Sequence, residues 1–121
     1  MQGMKTLLER PGLRQQLGAS WDGFALEEVL CRTGDRHAYF WATQSGAELD
    51  LLLMLDNQRI GVEFKFGDAP TVTRSMHIAL QDLRLDRLLV VYPGPESGRL
   101  HDRIEMVALA NLDQALSRHA T

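Results

Sequence analysis

Hydrophobic and polar positions along the chain fall into segments with the repeat of a strand and segments with the repeat of a helix. Residues 48–55 are almost wholly apolar, and residues 59–66 alternate strictly between apolar and polar positions. Both patterns predict β-strands. Aromatic and apolar runs predict three more strands over 39–43, 88–92 and 103–109.

Helical patterns lie before, between and after these strands. Ser20 is a suitable N-cap for a helix that runs to about Arg32 and ends at Gly34. Apolar residues spaced at three and four positions predict a second helix over 72–83, and a third helix follows Asn111.

The order of these elements predicts a single α/β domain over residues 1–121. Residues 1–17 form a predicted helical lead-in, with helical segments at 4–10 and 13–17. The order then runs helix, three strands, helix, two strands, helix. Such an order suggests a central mixed sheet with helices on both of its faces.

Composition narrows the class of protein. The net charge is -3 and the pI is about 5.7, which argues against strong, unspecific binding to nucleic acid. No apolar run has membrane-spanning length, and the N-terminus lacks a signal-peptide pattern, so we expect a cytoplasmic protein. Cys31 is the only cysteine, which excludes an intrachain disulfide and a cysteine zinc cluster.

Candidate chemistry is concentrated on the hairpin formed by the two central predicted strands. Asp56-Asn57 is a candidate two-residue turn, because both residues tolerate positive φ. If Leu55 then faces Gln58, counting back along the strands places Asp50 directly opposite Glu63. Lys65 is two residues beyond Glu63 and projects from the same face.

Two facing carboxylates within apolar strands repel each other unless one is protonated or a cation lies between them. Asp50 and Glu63 are therefore candidate Mg²⁺ ligands, and Lys65 is a candidate to orient a bound water or to stabilise phosphate charge. The alternative is a structural cluster in which the lysine forms salt bridges with the two acids on a solvated sheet face.

Further candidates lie on the helices. Asp22 and Glu28 fall in the apolar sector of the first helix, although a dipole role for Asp22 and an ion pair of Glu28 with Arg32 explain them equally well. Arg74 and His77 are candidate phosphate contacts, and a solvated helix face explains them as well. The aromatic residues at 21, 24 and 39–41 are interpreted as core packing rather than as a base-stacking platform.

These residues resemble the PD-(D/E)XK nuclease signature, in which an acid on one strand precedes a Glu-x-Lys on the next. A longer text resembles a domain of unknown function that forms the C-terminal part of a large family of bacterial and archaeal P-loop ATPases. No nucleotide-binding motif precedes it here, so we expect either a stand-alone version or a fragment of such an ATPase. The matching segments are 18–28, 39–41, 46–53, 61–65, 68–70, 73–80 and 90–94.

The resemblance implies a restriction-endonuclease-like three-layer fold, with a central mixed β-sheet flanked by helices. By position it implies that Asp50 and Glu63 are metal ligands, that Lys65 is catalytic, and that Asp22 or Glu28 is the first-helix acid. The expected function is Mg-dependent hydrolysis of DNA phosphodiesters. The alternative is a non-catalytic interaction or dimerisation module, whose partner is a second copy of the chain or an ATPase.

Overall fold

The described part of the chain forms a seven-stranded sheet with helices packed on both faces. The structure is a computed structural model that describes residues 3–9 and 20–117. In chain order the strands and helices are β1 (Met4–Thr6), α1 (Trp21–Thr33), β2 (Ala38–Ala42), β3 (Glu48–Leu55), β4 (Gln58–Phe64), α2 (Arg74–Asp82), β5 (Arg87–Tyr92), β6 (Gly98–His101), β7 (Ile104–Ala108) and α3 (Leu112–Ser117). Short 3-10 turns at Leu7–Glu9 and Leu109–Asn111 follow β1 and β7.

The sheet is mixed, as its predicted element order suggests. Its spatial order is β1-β2-β3-β4-β5-β7-β6. The strands from β1 to β4 pair antiparallel, β4 pairs parallel with β5 and β5 parallel with β7, and β6 closes the far edge antiparallel to β7. The antiparallel half of the sheet and its parallel half therefore meet at β4, the strand that carries Glu63.

Two apolar cores cover the two faces of the sheet. Residues of α1 and α3 pack on one face with Leu51, Val62 and Leu89. Residues of α2 pack on the other face with Leu52 and Leu88. The apolar positions of β3 are thus buried on both faces, which explains the nearly unbroken run of leucines in its sequence.

The hairpin between β3 and β4 has the register predicted from the sequence. Asp56 and Asn57 have φ of 48° and 66°, the backbone of a two-residue turn whose twist matches that of the flanking strands. Leu55 pairs with Gln58, and the ladder continues as far as Leu51 opposite Val62. The next facing position holds Asp50 and Glu63.

A β-bulge in β3 adjoins this position. Tyr39 of β2 pairs with Leu52, whereas Trp41 pairs with Leu49, so two steps along β2 correspond to three along β3. Asp50 and Leu51 therefore share the place opposite Phe40. A bulge bends its strand and re-aims the side chains beside it.

The first helix begins and ends where the sequence predicts. Ser20 Oγ accepts a hydrogen bond from the N–H of Gly23 at 3.2 Å, and the N–H of Gly34 donates to Leu30 O at 2.7 Å. Its buried face consists of Gly23, Ala25, Leu26 and Val29.

Two predictions are wrong at the edges of the sheet. Residues 4–6 are not helical but form β1, because they pair with Trp41, Phe40 and Tyr39 of β2. An exposed strand edge offers these residues hydrogen-bonding partners that an isolated helical turn lacks. The predicted helical segment at 13–17 lies outside the described residues. Strand β6, which the sequence did not indicate, occupies residues 98–101.

No helix in the described ranges has both the length and the apolar character needed to cross a membrane.

Candidate metal site

The candidate site lies where the parallel half of the sheet ends. Glu63 is opposite Val90 in the parallel β4–β5 pair, and the N–H of Lys65 donates to Val91 O at 2.9 Å. Both strands therefore run toward the site and end beside it. The carboxyl ends of parallel strands are the usual place for ligand sites in α/β sheets.

Beyond the last ladder pair, hydrogen bonds to the side chains of Asp50 and Glu63 link β3 and β4 in place of backbone ones. Glu63 Oε1 accepts from the N–H of Asp50 at 3.1 Å, and Asp50 Oδ2 accepts from the N–H of Phe64 at 3.0 Å. Both side chains are half-buried. Each carboxyl group is thus fixed by the opposite strand, and the two acids are held together as the sequence predicts.

The electrostatic result is a carboxyl group that retains its proton near neutral pH. Burial and the neighbouring charge of Asp50 raise the pKa of Glu63 to about 8, from 4.5. The backbone hydrogen bond from Asp50 and the charge of Lys65 oppose this rise of the pKa, and Glu48 adds to it. Burial and the charge of Asp50 thus outweigh the opposing effect of Lys65 on the pKa of Glu63.

Lys65 is exposed and follows the end of β4. None of the ion pairs within the described part of the chain involves its ammonium group. Its charge is nevertheless close enough to lower the pKa of Glu63. This arrangement argues against a structural salt-bridge cluster and leaves the ammonium group accessible from solvent.

The two first-helix acids have different surroundings. Glu28 Oε1 lies 3.3 Å from Arg32 Nη1, and the same arginine bonds Asp113 of α3. This finding favours the ion-pair interpretation of Glu28. Asp22 is half-buried in the first turn of α1, beside Trp21, whose ring contacts Phe66 beyond the end of β4. Asp22 is therefore the first-helix acid at the end of the helix nearer the site.

Neither helix acid completes a three-ligand metal cluster. Across residues 3–9 and 20–117, no group of three or more His, Cys, Asp or Glu side chains is arranged to hold a metal ion. Two acids, Asp50 and Glu63, lie together because each carboxyl group accepts from a backbone N–H of the strand opposite it.

Of the two predicted phosphate contacts, His77 has a partner away from β4. Its ring meets that of His101 edge-on, with centroids 4.9 Å apart. The two imidazoles line a cavity of about 400 Å³ with Gln81 and Arg103. Arg74 is exposed at the first position of α2.

The interpretation of the aromatic residues as core packing holds for Trp41 but is wrong for Phe24. Trp41 is 2% exposed, whereas Phe24 is 49% exposed. Phe66 is 72% exposed, although the strict alternation of residues 59–66 placed it on the apolar face of the predicted strand. Strand β4 ends at Phe64, so the alternation no longer fixes the direction of Phe66. Gly67, at φ 138°, was the sequence signal for this ending.

Comparison with known families identifies the chain. A family model described as "Domain of unknown function (DUF4143)" matches residues 17–112. The chain belongs to the DUF4143 family. The matched residues contain α1, the candidate site and the whole sheet from β2 to β7.

Two curated mycobacterial proteins are similar to this DUF4143 chain. The "Uncharacterized protein Rv2008c" of Mycobacterium tuberculosis and the "Uncharacterized protein Mb2031c" of Mycobacterium bovis are each 44% identical to it over 92 residues. The match covers 76% of this chain but 21% of each relative, so the chain spans about a fifth of their length. No solved structure matches the chain.

Proposed function

We propose that this DUF4143 domain is a Mg²⁺-dependent phosphodiesterase of the PD-(D/E)XK type that acts on DNA. The observation that carries the proposal is that the carboxyl groups of Asp50 and Glu63 each accept a hydrogen bond from a backbone N–H of the opposite strand, which places both at the end of the β3–β4 hairpin. Such a pair has a raised affinity for a proton, and a divalent cation relieves the same charge conflict.

The donor set fits Mg²⁺ rather than a softer metal. Both groups are carboxyl oxygens, the hard ligands that Mg²⁺ prefers, and Mg²⁺ commonly binds through one or two carboxylates while keeping several waters. Asp50 and Glu63 would hold the ion, with a backbone carbonyl and water completing its shell. When bound, Mg²⁺ supplies positive charge to a phosphate oxygen and lowers the pKa of a bound water.

Each side chain of the site has its own proposed role. Glu63, once deprotonated, would bind the ion from β4, where the parallel half of the sheet begins. Asp50 would bind it from the bulged strand β3 on the other side. The exposed ammonium group of Lys65 stands beside them, where it can orient a water or stabilise negative charge that develops on the phosphate. Asp22, at the start of α1, is the proposed first-helix acid.

The architecture also supports this assignment. A mixed sheet with helices on both faces, and an acid followed by Glu-x-Lys at one end of its central hairpin, agrees with a restriction-endonuclease-like fold. Membership of a nuclease superfamily and a P-loop ATPase context for the family are parts of the proposal, since fold alone does not establish function.

Cleavage of DNA in the presence of Mg²⁺ tests the proposal. We expect wild-type protein to nick or degrade DNA, and Asp50→Ala and Lys65→Ala to lose at least about 100-fold in rate, the scale seen when one charge-stabilising group is removed. Lys5→Ala and Asp102→Ala, which alter exposed residues outside the site, are the matched controls. Cleavage that survives both site substitutions would refute the assignment.

The second candidate is a non-catalytic module that binds a second copy of the chain or an ATPase partner. The observation in its favour is that the described residues bring two acids together rather than a cluster of three metal-binding side chains. Light scattering tests self-association: a stable dimer in which Asp50→Ala leaves both fold and assembly intact, without Mg²⁺-dependent cleavage, would favour this candidate.

A further inference from the structure

Two aromatic rings stand together just beyond the candidate site. The centroid of the Phe66 ring lies 5.8 Å from that of Trp21, and the ring planes are tilted by 46°. Trp21 is half-buried and packs against the core beneath α1, whereas Phe66 is 72% exposed. One ring is therefore anchored, and the other leaves most of its surface open to solvent.

The exposure of Phe66 stands out within this fold. Phe66 and Phe24 are the large hydrophobic residues exposed in the described part of the chain. Phe66 follows the end of β4, and Phe24 lies in the first turn of α1. A single exposed apolar residue needs no explanation, but here an exposed ring lies against a second, anchored aromatic ring beside the candidate site, an arrangement suited to binding a flat apolar group.

The chain places this aromatic pair beside the acids. The N–H of Phe64 donates to Asp50 Oδ2 at 3.0 Å, and Phe66 is two residues further along. Two residues span at most roughly 7 Å. A base on Phe66 would therefore belong to a nucleotide close to a phosphate held at the acids.

We propose that Trp21 and Phe66 form a stacking platform for an unpaired base, so that the substrate is a nucleic-acid strand with unstacked bases next to the scissile phosphate. The inference rests on the proposed function, because it takes Asp50 and Glu63 as the cleavage site. Base faces inside a duplex are covered by their neighbours, so a side-chain ring reaches them only at an end, in a single strand or in an extruded nucleotide.

Charge supports this substrate class over intact duplex. The chain has a net charge of -3, so phosphate contacts alone provide little affinity for a duplex. Binding of a single strand combines stacking on aromatic rings, which tolerates any base, with positive charge along the backbone. Lys65, which immediately precedes Phe66, places such a charge close to the platform.

Binding without metal tests the platform separately from catalysis. The probe is a labelled oligothymidylate of about 12 nucleotides, followed by fluorescence anisotropy in EDTA. We expect the single strand to bind at least about 5-fold more tightly than a duplex or an abasic strand of equal length. Phe66→Ala should weaken this binding by about 5- to 150-fold, the value of one stacked base.

Phe66→Leu is the matched control for hydrophobicity. It keeps an apolar side chain but removes the aromatic face, so stacking predicts a loss like that of Phe66→Ala, whereas Phe66→Trp should retain binding. Equal binding by wild type and Phe66→Leu would overturn the inference. So would a strand that does not bind at all, or self-association that Phe66→Ala abolishes while strand binding is absent.

Tryptophan fluorescence provides a direct reading at the platform. The chain has two tryptophans, and Trp41 is buried, so Trp41→Phe leaves Trp21 as the only tryptophan. A stacked base should quench its emission on addition of the single strand but not of the abasic strand. Cleavage with Mg²⁺ is measured in parallel. Stacking without cleavage would uphold the platform and refute the nuclease. Cleavage without any effect of Phe66→Ala would refute the platform and uphold the nuclease.

Discussion

The carboxyl group of Glu63 accepts a hydrogen bond from the backbone N–H of Asp50 at 3.1 Å, at the point where the β3–β4 ladder ends. The hairpin register leads to this position, and Asp50 Oδ2 in turn accepts from the N–H of Phe64 at the end of β4. We expect two acids held in this way to control the pH dependence of the fold and to bind a divalent cation.

The metal-free protein should lose stability as the pH rises. Because the pKa of Glu63 in the folded state is about 8 and that of the free group is 4.5, the folded protein binds more protons than the unfolded chain between these values. The protonated carboxyl group of Glu63 contributes fully to stability below about pH 4.5, and this contribution is lost as the pH rises through about 8. Urea denaturation between pH 5 and pH 9 measures the change.

Glu63→Gln keeps an acceptor oxygen for the Asp50 N–H and removes the titration. We expect this variant to be more stable than wild type at pH 8 to 9 by on the order of 3 kcal/mol, and to show a flatter pH profile. Glu27→Gln, which changes an exposed acid of α1, is the control. Parallel pH profiles for wild type and Glu63→Gln would contradict the raised pKa.

Lys65→Met should separate stability from activity. Lys65 is exposed and forms none of the ion pairs in the described ranges. We therefore expect the free energy of unfolding of the variant to differ from that of wild type by less than about 0.5 kcal/mol. Hydrolysis of DNA should fall sharply. Lys5→Met, the substitution of the other lysine of the chain, serves as control. A destabilisation of several kcal/mol would instead support a structural salt-bridge role for Lys65.

The β3–β4 turn should be sensitive to residues that cannot adopt positive φ. Asn57 has a φ of 66°, so Asn57→Val should destabilise the fold by about 1–2 kcal/mol, whereas Asn57→Gly should be neutral or stabilising. Thermal unfolding followed by circular dichroism measures both. Equal melting temperatures for the two variants would show that the turn does not fix the hairpin register.

The sequence predicted the parts of the fold that depend on local signals. Asp56 and Asn57 specify the turn, and the turn specifies which residues face each other, so the pairing of Asp50 with Glu63 followed directly. Ser20 and Gly34 likewise predicted the ends of α1, because capping depends on adjacent backbone groups.

Features that depend on distant partners were not predicted. β1 exists because β2 offers it an edge, and the three residues of β1 have no strand pattern of their own. The bulge at Asp50 is a mismatch between two strands and is invisible in either one. The exposure of Phe66 depends on where β4 ends, at Phe64, which the alternation of a single segment does not fix.

Calorimetric titration with Mg²⁺, on wild type and on Asp50→Asn, tests the central claim most directly. At pH 7, below the pKa of about 8 for Glu63, binding should release close to one proton, so the apparent heat should vary with the ionisation enthalpy of the buffer. Asp50→Asn should abolish this proton-coupled binding. An absence of binding in wild type, or equal binding by the variant, would contradict the assignment of Asp50 and Glu63 as a metal site.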